Sequence, residues 1–227
     1  MSEQRPTTPL QALDPIGSQE VDLAPGLRHM EIYARSGLLT VLWHGEPDYP
    51  SAVVACGGAL GGLLGPANGL YQRLGQELAE QRIGMLRVGY RRPNDLDACC
   101  LDLAVAVQLS IGQGAAKVIT MGHSFGGAVA VRVAVGLPEM VAGVVTFATQ
   151  SAGCEVADGI APRPFLLFHG ERDEILPVEA SAVVREIAGC GDLVVLPNDG
   201  HLLAKSGEIM EERLREWIPA VFSSALH

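Results

Sequence analysis

From Ser51 to the C-terminus, short apolar runs bounded by glycine or proline alternate with longer segments of helical spacing. The strand-like runs of the whole chain are Leu27–Ala34, Leu38–His44, Ser51–Cys56, Met85–Gly89, Lys117–Met121, Gly143–Ala148, Phe165–His169 and Leu193–Leu196. The helix-like runs are Leu70–Gln81, Leu96–Ile111, Gly126–Val135, Val178–Ile187 and Glu208–Phe222. Several short runs, Val-Ile-Thr-Met and Phe-Leu-Leu-Phe among them, are apolar at successive positions, as strands covered on both faces are. From Ser51 the order is β-α-β-α-β-α-β-β-α-β-α. It predicts a three-layer α/β domain with right-handed crossovers. The first two runs come closer to strict alternation and are expected to pair antiparallel at an edge. Residues 1–26 carry Pro6, Pro9, Pro15 and Pro25 with little periodicity, and read as an extended or partly disordered arm ahead of one domain over 27–227.

The chain has 227 residues, 48% of them apolar, enough for a core without disulfides. Its 26 acidic against 16 basic residues give a formal charge of −10. That charge repels phosphate backbones and anionic membranes, so neither nucleic acid nor a membrane is expected as a partner. Met1 to Leu10 lacks the apolar stretch of a secretory leader, and no apolar run reaches the length of a membrane span. The five cysteines, Cys56, Cys99, Cys100, Cys154 and Cys190, include no C-x-x-C spacing, which removes support for a zinc or thioredoxin motif. They are expected as free thiols in a cytoplasmic protein.

One turn carries a chemical signal. Gly122-His123-Ser124-Phe125-Gly126-Gly127 follows the strand ending at Met121 and opens a helix. A sharp strand-to-helix turn forces its serine into a strained backbone and lifts the hydroxyl above the sheet. The flanking glycines are wanted because a Cβ would clash in so tight a turn. The alternative is a glycine-rich structural turn whose serine caps the helix.

A serine hydroxyl needs a base, and the base needs an orienting acid. Asp173 stands in His169-Gly170-Glu171-Arg172-Asp173 just past an apolar strand, and His201 in Pro197-Asn198-Asp199-Gly200-His201 just past another. Both therefore lie at the sheet edge that carries Ser124, in the chain order Ser, Asp, His. Glu171 and Glu174 are expected to face solvent. Among the other histidines, His123 is expected to point away from the nucleophile and His169 to be buried packing. Backbone N–H groups of Phe125 and of Gly58 are the expected oxyanion donors, with Ala59 as the alternative to Gly58. The loop Cys56-Gly57-Gly58-Ala59-Leu60-Gly61-Gly62 that carries the second donor matches no nucleotide-binding glycine motif.

These pieces, the glycines 57–58, the Ser124 turn, Gly170-Glu171-Arg172-Asp173 and Gly200-His201, resemble the α/β-hydrolase superfamily over about Leu27 to Phe222. Within it the chain is similar to compact members related to dienelactone hydrolases and small carboxylesterases. Only Thr149 to Pro164 separates the sixth strand from the strand before Asp173, which leaves no room for a cap domain. The resemblance implies a three-layer α/β/α hydrolase fold with about eight mostly parallel strands, a Ser124–His201–Asp173 triad and no cofactor. Two departures stand out. Typical dienelactone hydrolases carry a cysteine nucleophile where this chain has Ser124, and many members have histidine where it has Cys56.

The expected reaction is cleavage of a small carboxylic ester through an acyl-enzyme. A thioesterase or acyltransferase would use the same triad, a binding module would keep the fold without turnover, and a peptidase would want an accessory domain. Pocket walls are expected from Leu60–Leu64, Tyr90–Pro93, Phe125, Ser151–Ile160, Ile175–Leu176 and Leu202–Leu203. Leu60, Ile175 and Leu202 are the expected apolar contacts, and Arg91 and Arg92 are candidates to hold a substrate carboxylate, Arg91 foremost, against the alternative of solvated surface arginines. Exposed apolar loops or an edge strand would also allow a homo-oligomer.

Overall fold

Each of the apolar runs becomes a strand of one sheet, in a computed structural model that describes residues 8–225. The strands are β1 (Pro15–Ala24), β2 (Leu27–Ala34), β3 (Gly37–His44), β4 (Ser51–Cys56), β5 (Ile83–Gly89), β6 (Lys117–His123), β7 (Val141–Phe147), β8 (Phe165–Gly170) and β9 (Asp192–Leu196). Their spatial order is β1-β2-β3-β5-β4-β6-β7-β8-β9. The β1–β2, β2–β3 and β3–β5 pairs are antiparallel, and from β5 to β9 every pair is parallel.

The helices are α1 (Pro9–Leu13), α2 (Pro66–Glu80), α3 (Leu96–Gly112), α4 (Phe125–Gly136), α5 (Val178–Ala188) and α6 (Gly207–Ala225). They cover both faces, which is why the central strands are apolar at successive positions. Val54 and Cys56 of β4 pack with α3 and α4, while Val53 and Ala55 of the same strand pack against Leu70 and Leu74 of α2 and Met210 and Leu214 of α6. Between β7 and β8 lies only a loop with one 3-10 turn, Ala157–Ile160, so no cap covers the sheet edge. No helix among the described residues is long and apolar enough to cross a membrane.

The sheet has nine strands where about eight were expected, because of the segment read as an arm. Residues 1–7 lie outside the described residues. Beyond them, Thr8 and Gln11 form a capping box that starts α1, and Leu13 is buried. Residues 15–24 then pair along β2 from Pro15↔Ala34 to Ala24↔Leu27. Every residue of β1 is exposed, so this strand never needed the apolar alternation by which a half-buried strand is recognised.

Two registers position the functional edge. Cys56 of β4 lies beside Gly122 of β6, and His123 of β6 beside Phe147 of β7. The glycine loop after β4 is thereby brought against the turn after β6. On the far side, Gly170 of β8 pairs with Leu196 of β9, so the loops carrying Asp173 and His201 leave the sheet side by side.

Candidate active site

Ser124 has φ 57° and ψ −120°, a left-handed conformation that costs a non-glycine residue roughly 1–3 kcal/mol. The surroundings hold it there. Its N–H donates to the Phe147 carbonyl at 2.8 Å, and its own carbonyl accepts from Gly127 at 2.9 Å. A Cβ on Gly122 would run into the Gly126 carbonyl, and one on Gly126 into the Gly57 carbonyl. Both glycines are therefore required by close backbone approach.

The Ser124 hydroxyl lies 2.9 Å from Nε2 of His201, whose Nδ1 lies 2.8 Å from Oδ2 of Asp173. Since Asp173 can only accept, Nδ1 carries the proton and Nε2 is left to accept from the serine. The Asp173 side chain is fully buried and that of His201 is 6% exposed. Burial pushes the Asp173 carboxyl up, but hydrogen bonds from the Leu176 N–H, the His201 imidazole and the Ile175 N–H outweigh it and hold the group below its ordinary value. Both backbone donors reach Oδ1 at 2.8 Å. Glu171 and Glu174 are exposed, and each also ties the histidine loop: Glu171 accepts from the Asn198 N–H at 2.9 Å and Glu174 from the His201 N–H at 3.3 Å.

Phe125 is the first residue of α4, so its N–H has no carbonyl within the helix to bond. Gly58 stands opposite, and a Cβ built on it would be 3.6 Å from Cβ of Ser124. Its loop is pinned by Tyr71, which donates to the Cys56 carbonyl at 3.0 Å, and by Tyr90, which donates to the Gly57 carbonyl at 3.1 Å. The start of α4 and the glycine loop after β4 thus flank the serine from two sides. Cys56 itself is buried beneath the loop, and burial pushes its thiol far above the ordinary value. Burial also pushes Cys99 and Cys154 up to about 12 and Cys100 up to about 11, so these thiols stay protonated at neutral pH.

The remaining expected contacts divide. Leu60, Ile175 and Leu202 are 97%, 65% and 63% exposed and form an apolar rim on the functional edge. Leu203, expected in the pocket wall, is fully buried in the core under α6. Arg91 is withdrawn from the site. Its side chain is 3% exposed and pairs with the fully buried Asp102 of α3 and with Ser36, which corrects its reading as a substrate contact. A buried carboxylate nearly two turns into α3 holds the guanidinium. An open, mostly apolar cleft of about 420 Å³ is lined by Gln150, Ser151, Ala152, Leu176, Pro177 and the first turns of α5, and adjoins the site through Leu176, whose N–H holds Asp173. The α5 wall, Glu179, Ala180 and Val183, was not among the expected pocket segments.

Two further histidines support the triad. The ring of His123 packs against that of His201, centroids 5.0 Å apart, and its Nε2 donates to the His201 carbonyl at 2.9 Å. Burial pulls its imidazole down to about 4, so it stays neutral. His169 is buried as expected, but with polar work: its ring lies 2.6 Å from the Ser181 hydroxyl and 3.0 Å from the Leu176 carbonyl. Its position four residues before the aspartate was the available signal.

Solved structures of this architecture match the whole domain. Est1E from Butyrivibrio proteoclasticus superimposes with a TM-score of 0.73 at 17% identity, covering 86% of this chain and 99% of that one, and has also been solved with ferulic acid bound. An alpha-beta serine hydrolase homologue from Coxiella burnetii gives 0.64 at 20% identity, covering 82% and 94%. The 2-hydroxy-6-oxo-6-phenylhexa-2,4-dienoate hydrolase of Rhodococcus sp. strain RHA1 gives 0.60 at 17%, covering 83% and 98%. No curated protein sequence matches the chain. The model of the dienelactone hydrolase family matches residues 66–192, more than half of the chain, a span that holds Ser124 and Asp173 and stops before His201. With that match on an α/β-hydrolase fold, the chain belongs to the dienelactone hydrolase family and is a hydrolase.

Proposed function

We propose that this hydrolase is a serine carboxylesterase acting on a small ester through an acyl-enzyme. The observation that carries the reading is the unbroken line Ser124–His201–Asp173, with both links under 3 Å and the histidine tautomer set by the aspartate. His201 Nε2 takes the Ser124 proton as Oγ bonds to the ester carbonyl carbon. The negative oxygen that results is held by the N–H groups of Phe125 and Gly58, each donor being worth about 10²–10³ in rate. Collapse breaks the carbon–alkoxide bond, and the alkoxide leaves with the proton held by His201. Water then repeats the sequence against the acyl-serine and frees the acid.

The substrate side follows from the cleft and rim. Both are mostly apolar, no arginine or lysine lines the cleft, and Arg91 is committed to Asp102. An uncharged alkyl or aryl ester suits such walls. The ferulic acid seen in Est1E adds aryl esters to the panel to be tried.

The test is fluorophosphonate labelling of the native protein, with the modified peptide located by mass spectrometry. One adduct at Ser124, absent from Ser124→Ala, is expected, together with a loss of ester turnover on the order of 10⁴–10⁶-fold in that variant. A folded protein that takes no label would sink the proposal. Faster turnover of acyl thioesters than of matched oxygen esters would move the assignment to a thioesterase.

A further inference from the structure

We propose that His169 is a positioning residue for Asp173: its imidazole Nε2–H holds the Leu176 carbonyl, and the Leu176 N–H in turn fixes the orientation of the carboxylate that His201 requires. The proposal rests on the triad function proposed above.

Asp173 presents an unusual problem. Its side chain is completely buried, yet among the described residues no lysine or arginine lies within ion-pair distance of it. A buried carboxylate without a cation must be stabilised by dipoles alone, so each donor around it matters. Oδ1 takes the N–H groups of Ile175 and Leu176. Oδ2 takes His201 at 2.8 Å, and His169 Nε2 stands 3.2 Å from the same oxygen. The hydrogen bond of Nε2 goes to the Leu176 carbonyl at 3.0 Å, and Oδ2 is in contact with the edge of the ring. Carbonyl and carboxylate can only accept, so the proton is on Nε2. Nδ1 then accepts from the hydroxyl of Ser181 in α5, at 2.6 Å.

The result is a closed cage. His169 holds the Leu176 carbonyl, the Leu176 N–H holds Oδ1, and the edge of the His169 ring closes on Oδ2. Ser181 locks the ring from behind, which anchors the aspartate loop to both β8 and α5. The other titratable groups that face this unit are His201 itself, His123 against the His201 carbonyl and Glu174 at the His201 N–H. None of these three reaches the side of Oδ2 that His169 occupies.

Three variants separate positioning from packing. In His169→Gln the side-chain amide nitrogen takes the place of Nε2, whereas in His169→Asn it takes the place of Nδ1. His169→Phe removes both. The expected result is that His169→Gln keeps kcat within about threefold, while the Asn and Phe variants lose about tenfold in kcat with little change in KM, the effect of losing the one hydrogen bond that holds the Leu176 peptide against the carboxylate.

In an Asp173→Asn background the same substitutions are expected to add almost nothing. Better activity in His169→Asn than in His169→Gln, or equal losses with and without Asp173, would overturn the proposal. Should the His169 variants fail to fold, Ser181→Ala unlocks the ring from the other side. A threefold lower kcat with little change in KM is then expected, and unchanged kinetics would overturn it. Wild-type protein that labels at Ser124 and turns over while the Asn variant is unaffected refutes this role alone. Wild-type protein that does not label refutes the esterase reading beneath it.

Discussion

Replacing Arg91 by Met removes the only ion-pair partner of Asp102 among the described residues, and its cost can be worked from the burial of the pair. The Arg91 side chain is 3% exposed and Asp102 not at all, so solvent neither screens the pair nor hydrates what is left of it. After substitution Oδ1 loses the guanidinium, and Oδ2 keeps only the Arg91 main-chain N–H at 2.9 Å. Burial already holds the Asp102 carboxyl above its ordinary value, against the pull of Arg91. Breaking such a pair costs about 3–5 kcal/mol, which for a chain of this size lowers Tm by roughly 6–20 °C. Replacing both partners, Arg91→Met with Asp102→Leu, removes the stranded charge and should cost less than either single change. The assay is thermal and urea unfolding of the three variants, with kcat/KM measured in parallel on a neutral ester and on one bearing a carboxylate. The reasoning predicts large stability losses and the same ratio of the two substrates as in wild type. A stability loss under 1 kcal/mol, with selective loss of the anionic ester, would refute it and return Arg91 to the site.

Acidification should weaken the fold through two buried histidines. Burial pulls His44 and His123 down to about 4, below the 6.5 or so of an unfolded histidine. Between those values the unfolded chain binds protons that the folded chain refuses, so stability is complete above about pH 6.5 and falls toward pH 4, by roughly 3 kcal/mol for each histidine. Urea unfolding against pH checks this, and His44→Leu, which replaces a ring whose Nε2 has no hydrogen-bond partner, should reduce the slope by one proton. Gly126→Ala must displace the Gly57 carbonyl and should lower kcat at least 100-fold, whereas Gly136→Ala, with open space around it at the end of α4, should be neutral or stabilising by up to about 1 kcal/mol. Steady-state kinetics and Tm of the two alanine variants test that contrast.

The parts of this molecule that were legible in the sequence are those written locally. β2 and β4 begin and end where their apolar runs do, and α2 becomes regular at Leu70, after the left-handed residues Ala67, Asn68 and Gly69. Ser124, Asp173 and His201 could be picked out because each follows an apolar strand in an order that brings them to one edge. Whether they meet was a question of register between strands, which no local pattern contains. β1 escaped notice because a strand exposed along its whole length carries no burial signal. Arg91, His169 and Leu203 were misjudged or undervalued for one shared reason. Their surroundings come from α3, α5 and α6, and sequence distance does not say which side chain a folded neighbour will claim.

The strained serine has a place in time as well as in space. Its φ of 57° is held by the Phe147 carbonyl and by the seating of Gly126 on Gly57, all contacts between distant parts of the chain. Contacts of that kind form after the loops between them have closed, later than the helices. Until β4, β6 and β7 lie in register, nothing prevents Ser124 from relaxing to an ordinary conformation. Reactivity is therefore among the last properties the chain acquires and among the first it gives up, so warming or denaturant should extinguish turnover while the helical signal still stands.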